Sequence, residues 1–297
     1  MKKIRGICPA ALTIWGKDEL YAPKAQEKYV SWLIDSGAEA ISVTGSTGEM
    51  TAMMNEEQEA VIDHVVHFVA GQVPVLASVG KYSTLETLRL AHSAKKSGAD
   101  GLMVILPYYY KPYKEAAIRH LRIIRKEVGL PICLYNNPHF AGYEMTPAEI
   151  SMLFKEETIF SVKAAHGDAN RVADLRAQSD VTIFYGHDYA PLPAYAAGAD
   201  GWLSGLPATF PRQCRALQDC LRDRKDLDAG RAMWKKFLPF ITFFMDPEVN
   251  ARVHWLEMLK YCVTRQGVDA GLARRPLVEL PAAYKAKLDP LIDTMLS

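Results

Sequence analysis

The sequence predicts a (β/α)8 TIM barrel followed by a C-terminal helical extension. Eight short, apolar, β-rich runs alternate with longer stretches of helical periodicity in this chain of 297 residues. The alternation favours right-handed βαβ units around a parallel sheet, and eight units favour a closed barrel over the rival, an open doubly wound sheet. After Phe210 the strand pattern stops and only helical patterns follow, which predicts the extension.

The elements follow one another in a regular order. Glycines at 37, 98 and 198 are typical of helix C-caps before a strand, and Asn55 with Gln58 predicts a capping box. We assign residues 1–224 to the barrel and 225–297 to the extension, whose apolar stretch 237–245 packs either on the barrel or at a subunit interface. The predicted strands are 7–13, 40–44, 73–79, 101–106, 132–135, 159–163, 181–185 and 201–204; the predicted helices are 25–36, 56–69, 85–97, 115–128, 147–154, 170–177, 212–221, 229–244, 251–264 and 282–296.

Composition and charge exclude several classes of protein. Hydrophobic residues make up 49% and charged residues 23% of the chain, and the net charge is +1. A chain with this charge balance lacks the basic excess that binds nucleic acid or an acidic membrane, so we expect neither partner. No apolar run reaches the roughly 18 residues that span a bilayer. The basic start, Met1-Lys2-Lys3, is followed by Arg5 and Pro9, so we expect a first strand there and no signal peptide.

The five cysteines indicate the cellular compartment. They are odd in number, widely spaced and form no C-x-x-C motif. A disulfide framework or a cysteine zinc site is therefore not expected, and a reducing cytoplasm fits best.

Lys163 is the candidate nucleophile. It ends the sixth apolar run, at the strand end where barrel enzymes place their active sites. Burial of a charged lysine is costly, and a buried lysine without a carboxylate partner can present a neutral amine that attacks a carbonyl. The alternative is a structural lysine that extends outward or pairs with an acid.

The pentapeptide Gly45-Ser46-Thr47-Gly48-Glu49 follows the second run. Two glycines allow successive backbone N–H groups to converge on one point, and such a nest binds anions, here a carboxylate. Ser46 and Thr47 add hydroxyl donors. Neither a Walker A lysine nor a G-x-G-x-x-G motif is present. An ordinary βα turn is the alternative interpretation.

Aromatic and imidazole groups follow other predicted strands. Tyr135 ends the fifth run and can pass protons if its hydroxyl is hydrogen-bonded; wall packing is the alternative. His139, His166 and His187 follow the fifth, sixth and seventh runs, and a divalent metal is one hypothesis for them. They lie on three loops without ligand spacing, so we expect either polar groups of the substrate pocket or solvent-facing loop residues, and no metal.

Four motifs in one order resemble the dihydrodipicolinate synthase and N-acetylneuraminate lyase family. They are Gly-Ser-Thr-Gly-Glu after the second run, Pro-Tyr-Tyr after the fourth, Tyr-Asn-x-Pro after the fifth, and Lys163 on the sixth. The resemblance covers residues 4–210, with a similar helical tail. It implies a barrel enzyme that forms a Schiff base with pyruvate or another 2-oxo acid and needs no metal or organic cofactor. It also implies a homo-oligomer, either a dimer or a tetramer.

The resemblance implies roles for individual residues. Lys163 is similar to the imine-forming lysine, Tyr135 to the proton-shuttling tyrosine, and Thr47 to the threonine that links it to solvent. Tyr109 is similar to a relay tyrosine lent by a neighbouring subunit. The expected substrate-binding residues are Ser46, Thr47, Gly48, Phe140, Asp188 and Leu203.

Two departures from the family affect the expected substrate. Phe140 stands where the lysine-biosynthesis enzymes carry an arginine, and phenylalanine cannot hold a carboxylate in a bidentate pair. Tyr189 follows Asp188 where neuraminate lyases carry glutamate, which hints at a substrate tail that is less like a sugar.

The sequence therefore predicts a Schiff-base lyase or aldolase that cleaves or condenses a pyruvate-derived 2-oxo acid. Four alternatives stay open at this point. They are a Schiff-base dehydratase or deaminase of a 3-deoxy-2-oxo acid or cyclic imino acid, a true 4-hydroxy-tetrahydrodipicolinate synthase, a metal-dependent enzyme, and a non-catalytic protein that binds a 2-oxo acid.

Overall fold

The computed structural model describes residues 4–297, so the basic start Met1-Lys2-Lys3 lies outside the described residues. Eight strands form one parallel sheet in the order β1-β8-β7-β6-β5-β4-β3-β2. The strands are β1 (Gly6–Ile7), β2 (Ile41–Val43), β3 (Val75–Ser78), β4 (Gly101–Ile105), β5 (Ile132–Asn136), β6 (Ser161–Ala164), β7 (Thr182–Tyr185) and β8 (Gly201–Trp202).

The two ends of this sheet meet, which closes the barrel. Ala10, just after β1, forms a parallel bridge with Ser42 of β2. The Ser42 N–H donates to Pro9 O at 2.9 Å, and the Ala11 N–H donates to Ser42 O at 2.8 Å. The predicted (β/α)8 barrel is confirmed, and the open-sheet rival is wrong. The first strand is shorter than the predicted 7–13, because Pro9 has no N–H to continue the ladder.

Helices surround the barrel and form the extension. They are α1 (Pro23–Asp35), α2 (Asn55–Val69), α3 (Thr84–Ser97), α4 (Lys114–Val128), α5 (Pro138–Ala141), α6 (Pro147–Lys155), α7 (Asn170–Arg176), α8 (Pro191–Ala196), α9 (Gly205–Thr209), α10 (Pro211–Gln218), α11 (Leu227–Phe244), α12 (Pro247–Asn250), α13 (Trp255–Arg265) and α14 (Ala282–Leu296). A 3-10 turn covers Met50–Ala52, and a π-helical turn covers Asp219–Asp223.

The start of α2 differs from its prediction. Met54, not Asn55, is the N-cap, and its N–H donates to Glu57 Oε2 at 2.9 Å. Gln58 has another role, because its side chain is fully buried and donates to Thr44 O and Ser78 O. The predicted capping box is therefore displaced by one residue, and Gln58 connects α2 to the loops after β2 and β3.

The second predicted helix of the extension is shorter than expected. The pattern predicts 251–264, whereas α13 begins at Trp255. His254 is its N-cap, and the His254 N–H donates to Glu257 Oε2 at 3.1 Å. Residues 251–253 instead form a turn that follows α12. Helical periodicity runs through this turn, so the pattern could not separate the two helices.

The apolar stretch 237–245 packs within the chain. Phe237, Phe240 and Phe244 are buried. The Phe240 ring meets the Phe210 ring edge to face, with centroids 5.1 Å apart. This confirms intramolecular packing for that face. The division at residue 224 stays a prediction. None of the helices in residues 4–297 is long and apolar enough to cross a bilayer.

Candidate active site

Lys163 lies on β6 inside the barrel. In the sheet register it is paired with Tyr135 of β5, which is paired in turn with Ile105 of β4. Only 5% of Lys163 is exposed, and its Nζ lies 4.1 Å from the centroid of the Tyr135 ring. Within residues 4–297 the ammonium forms no ion pair with a carboxylate. The structure therefore presents a buried amine against an aromatic face, without the acid partner that a structural lysine would need.

Gly186, directly after β7, leaves room for the Lys163 side chain. A Cβ at this position would lie 2.7 Å from Lys163 Cγ and 2.9 Å from Ala165 Cβ. Both distances are shorter than any normal carbon contact, so only glycine fits beside the lysine. The sequence reasoning missed this residue; a glycine that immediately follows a strand run was the available signal.

Tyr135 is buried and its hydroxyl already accepts one hydrogen bond. The donor is Asn137 Nδ2, at 3.1 Å. Asn137 also caps α5 by accepting the Phe140 N–H at 3.2 Å. The Tyr135 O–H is thereby left free to donate to a substrate. Asn137 is a second residue that sequence reasoning missed, although an asparagine before a helix-starting proline is a recognisable cap.

Residues with left-handed backbone angles flank the Gly45–Glu49 turn, the predicted anion nest. Thr44 and Glu49, on either side of it, have positive φ angles of 54° and 62°. Gly48 is held by Thr13, whose hydroxyl donates to Gly48 O at 2.7 Å. Among the described residues, the N–H groups of Ser46, Thr47 and Gly48 donate to no protein acceptor. These three donors are available to a carboxylate.

Glu49, the last residue of this turn, is buried and paired with the C-terminal extension. Its carboxylate lies 2.8 Å from Lys260 Nζ on α13, and both side chains are 2% exposed. It also accepts the Arg274 N–H at 2.8 Å. Burial lowers the pKa of Lys260, and the Glu49 carboxylate opposes that shift. The extension thus fixes the end of the nest.

Asp188 closes the carboxyl end of the barrel on the β7–β8 side. Its Oδ1 accepts the Leu206 N–H at 3.2 Å, and the Ser204 side chain also bonds to the carboxyl. Burial raises its pKa to about 6, while these hydrogen bonds and the nearby Lys163 charge favour the ionised form. Leu203 is fully buried in the barrel interior with Tyr135. Both predicted substrate residues therefore have structural partners within the chain.

The three histidines surround the mouth of the barrel without forming a metal site. Burial lowers the pKa of His187 to about 4, and the charges of Lys163, His166 and His139 add to that shift. Its Nδ1 accepts the Asp188 N–H at 3.0 Å. In residues 4–297 no three groups among His, Cys, Asp and Glu are placed to hold a metal ion.

Tyr109 lies on the surface of the single chain. It is 74% exposed, and its ring contacts are with Tyr82 and Tyr110. Among the described residues no hydrogen bond joins Thr47 to Tyr135 or to Tyr109. One chain alone thus places Lys163 against Tyr135 and the Gly45–Glu49 turn at the same end of the barrel, but residues 4–297 of one chain do not complete the predicted proton relay.

Comparison with known proteins gives the family. The sequence matches the Dihydrodipicolinate synthetase family over residues 3–295. The chain belongs to this family. It is 33% identical to the 4-hydroxy-tetrahydrodipicolinate synthase of Pelobacter propionicus, over 88% of each protein. It is 32% identical to the enzyme of the same name from Cereibacter sphaeroides, over 96% of this chain and 97% of the relative.

Solved structures of the family share the fold. YagE, a prophage protein of the dihydrodipicolinic acid synthase family from E. coli K12 in complex with pyruvate, aligns with a TM-score of 0.90 and 25% identity over 98% of both chains. Dihydrodipicolinate synthase DapA-2 from Bacillus anthracis aligns with a TM-score of 0.90 and 27% identity over 99% of both chains. The chain is therefore an enzyme of a pyruvate-dependent, Schiff-base lyase and synthase family.

Proposed function

We propose that this chain is a class I aldolase or lyase that forms an imine between Lys163 and a pyruvate-type 2-oxo acid. The observation that carries the proposal is the buried amine of Lys163, unpaired with any carboxylate among the described residues and set against Tyr135. The three free N–H groups of Ser46, Thr47 and Gly48 provide a place for the substrate carboxylate. The pyruvate in the YagE complex supports this choice of substrate.

The reaction follows from these positions. The Lys163 amine adds to the ketone carbon, and loss of water gives a protonated imine. The imine accepts the electron pair released when C3 loses a proton or when the C3–C4 bond breaks, which gives an enamine. In the condensing direction the enamine C3 attacks an aldehyde carbon, and the aldehyde oxygen takes up a proton. Tyr135 supplies and removes these protons, and hydrolysis of the imine consumes one water and frees the amine.

Phe140 argues against 4-hydroxy-tetrahydrodipicolinate synthase activity, the activity of the named relatives. Its ring, 48% exposed, offers no donor to a second carboxylate. We therefore propose another aldehyde partner. We also propose a homo-oligomer in which Tyr109 completes a neighbour's relay, and a reducing cytoplasm, since all five cysteines are buried and free.

Borohydride trapping tests the imine. The full chain is incubated with pyruvate and sodium borohydride, and the modified peptide is located by mass spectrometry. We expect a reduced pyruvyl adduct on Lys163 that is absent in Lys163→Ala. Lys81→Ala is the matched control, because Lys81 is another buried lysine, 8% exposed, and it should keep the adduct. No adduct on the folded wild-type protein would overturn the proposal.

A further inference from the structure

A cavity of about 470 Å³ lies at the carboxyl end of the barrel, beside the Gly45–Glu49 turn. Ser46 of the nest lines it at one side and Ile105 at another. Since Ile105 is paired with Tyr135, and Tyr135 with Lys163, the cavity opens on the same layer of strand ends as the lysine. From there it extends to the C-terminal extension at Trp255 and Leu277. A larger cavity, about 870 Å³, lies around Trp15 and Leu280; it shares Leu277, Arg274 and Arg275 with the first cavity but does not reach Ser46 or Ile105.

The wall of this cavity is apolar and aromatic. Tyr108, Phe140 and Trp255 contribute rings. The remaining apolar lining residues are Met50, Ala52, Ile105, Leu256, Pro276 and Leu277. Aromatic rings favour a flat aromatic ligand, through offset and edge-to-face contacts.

The charged groups in the wall already have partners. Glu49 is paired with Lys260 at 2.8 Å. Arg274 forms an ion pair with Glu57 at 2.6 Å, and Arg275 forms one with Glu19 at 2.7 Å. His254 Nδ1 accepts the Leu256 N–H, and burial lowers the His254 pKa, so the ring is neutral near pH 7. Both arginines in this wall are therefore already paired with a carboxylate of the chain.

The size of the cavity suits an aromatic tail. A dry cavity of about 150 Å³ is enough to hold benzene, and this one has about 470 Å³. It can therefore take an aryl ring together with the carbons that join the ring to a 2-oxo acid bound at Lys163.

We propose that the cavity is the subsite for the aryl group of an aromatic aldehyde, so that the enzyme makes or cleaves 4-aryl-4-hydroxy-2-oxobutanoates. This inference rests on the proposed imine chemistry. The enamine C3 of the pyruvyl group bonds to the aldehyde carbon, the aldehyde oxygen gains a proton, and imine hydrolysis releases the product. In the reverse direction the C3–C4 bond breaks and the aromatic aldehyde leaves through the cavity.

The test compares three aldehydes with pyruvate on the full chain. They are benzaldehyde, succinic semialdehyde with its carboxylate, and D-glyceraldehyde with its hydroxyls. We expect kcat/KM for benzaldehyde to exceed that for the other two by about tenfold or more, the discrimination expected when one partner fills an apolar pocket and the other must desolvate a polar group in it.

Two variants locate the subsite. Trp255→Ala should raise KM for benzaldehyde about tenfold and leave the borohydride adduct on Lys163 unchanged. Phe140→Arg should reduce the preference for benzaldehyde and raise kcat/KM for succinic semialdehyde, because the new guanidinium can pair with a carboxylate. Leu296→Ala is the control, because Leu296 is apolar, 41% exposed and outside the cavity. It should change neither KM for benzaldehyde nor the preference among the aldehydes.

The outcomes separate the inference from the proposed function. If pyruvate is trapped on Lys163 but succinic semialdehyde or D-glyceraldehyde is preferred, the inference is wrong and the proposed function stands. If Trp255→Ala lowers kcat/KM equally for all three aldehydes, the inference is also wrong. If Trp255→Ala does not fold, Phe140→Arg tests the inference instead. Phe140 is half-exposed, and its replacement is expected to shift the preference from benzaldehyde to succinic semialdehyde. Absence of any adduct overturns both.

Discussion

At the scale of single residues, the contact between Gly186 and Lys163 sets the position of the amine. The lysine stem passes so close to Gly186 that a Cβ would overlap Lys163 Cγ, Ala165 Cβ and Ala164 O, at distances of 2.7, 2.9 and 3.0 Å. The backbone of β6 cannot move away easily, because its register is held by β5 and β7. A side chain here must therefore displace the lysine.

Gly186→Ala is expected to move Lys163 and slow imine formation. A misplacement of about 1 Å at a reacting centre costs about 100-fold in rate, while overpacking one methyl group destabilises the fold by about 1–3 kcal/mol. The rate of pyruvate-dependent trapping at Lys163 measures the first effect, and thermal unfolding measures the second. A variant that folds and traps pyruvate at the wild-type rate would contradict this role for Gly186.

At the scale of elements, the extension holds the nest in place through one buried ion pair. Lys260 of α13 lies 2.8 Å from Glu49, which ends the Gly45–Glu49 turn. The same ammonium donates to Thr13 O and Leu272 O. Thr13 in turn donates to Gly48 O. Helix α13 and the turn after β2 therefore form one hydrogen-bonded unit.

Lys260→Met should destabilise the protein by about 3–5 kcal/mol, because it leaves the Glu49 carboxylate buried without its partner. The double variant Lys260→Met with Glu49→Gln should recover part of this loss. Urea unfolding measures both. Arg231→Met is the control, since Arg231 and Asp228 form an exposed ion pair, 61% and 92% exposed, whose loss should cost less than about 1 kcal/mol. Equal losses of unfolding free energy in the single and double variants would show that the buried Glu49 carboxylate is not stabilised by Lys260.

At the scale of the whole molecule, the exposed tyrosines indicate a surface that binds a partner. Tyr82, Tyr109, Tyr110 and Tyr113 are between 48% and 79% exposed. They lie on the loops after β3 and β4, at the same end of the barrel as Lys163. A patch of exposed aromatic rings is typical of a protein–protein interface. A second copy of the chain is the partner that the proposed relay requires.

Mixing two inactive variants tests whether Tyr109 acts in the neighbouring subunit. We expect Lys163→Ala and Tyr109→Phe to be impaired alone, the first without any imine and the second with imine but slow proton transfer. After unfolding and refolding together, hybrid dimers should each contain one complete site, which restores activity to about a quarter of the sites in a symmetric dimer. No recovery, with mixed oligomers demonstrated by native mass spectrometry, would place Tyr109 outside the neighbour's site.

The barrel and the place of Lys163 on its sixth strand could be predicted from the sequence alone. Apolar runs separated by helical periods are local features, so they predict strands and helices directly, and a barrel places every strand end on one face. Lys163, Tyr135 and the Gly45–Glu49 turn could therefore be assigned to one site. Short helices such as α5, α8 and α9 span four to six residues and show too little periodicity to be predicted.

Contacts between distant elements could not be predicted from local sequence patterns. The closeness of Gly186 to Lys163, the pairing of Glu49 with Lys260, and the cavity that joins Phe140 to Trp255 each combine residues from separate parts of the chain. Side-chain packing, not local pattern, brings such residues together. The chemistry proposed for the 2-oxo acid rests on residues at the strand ends, whereas the space proposed for the rest of the substrate depends on how the extension packs over those ends.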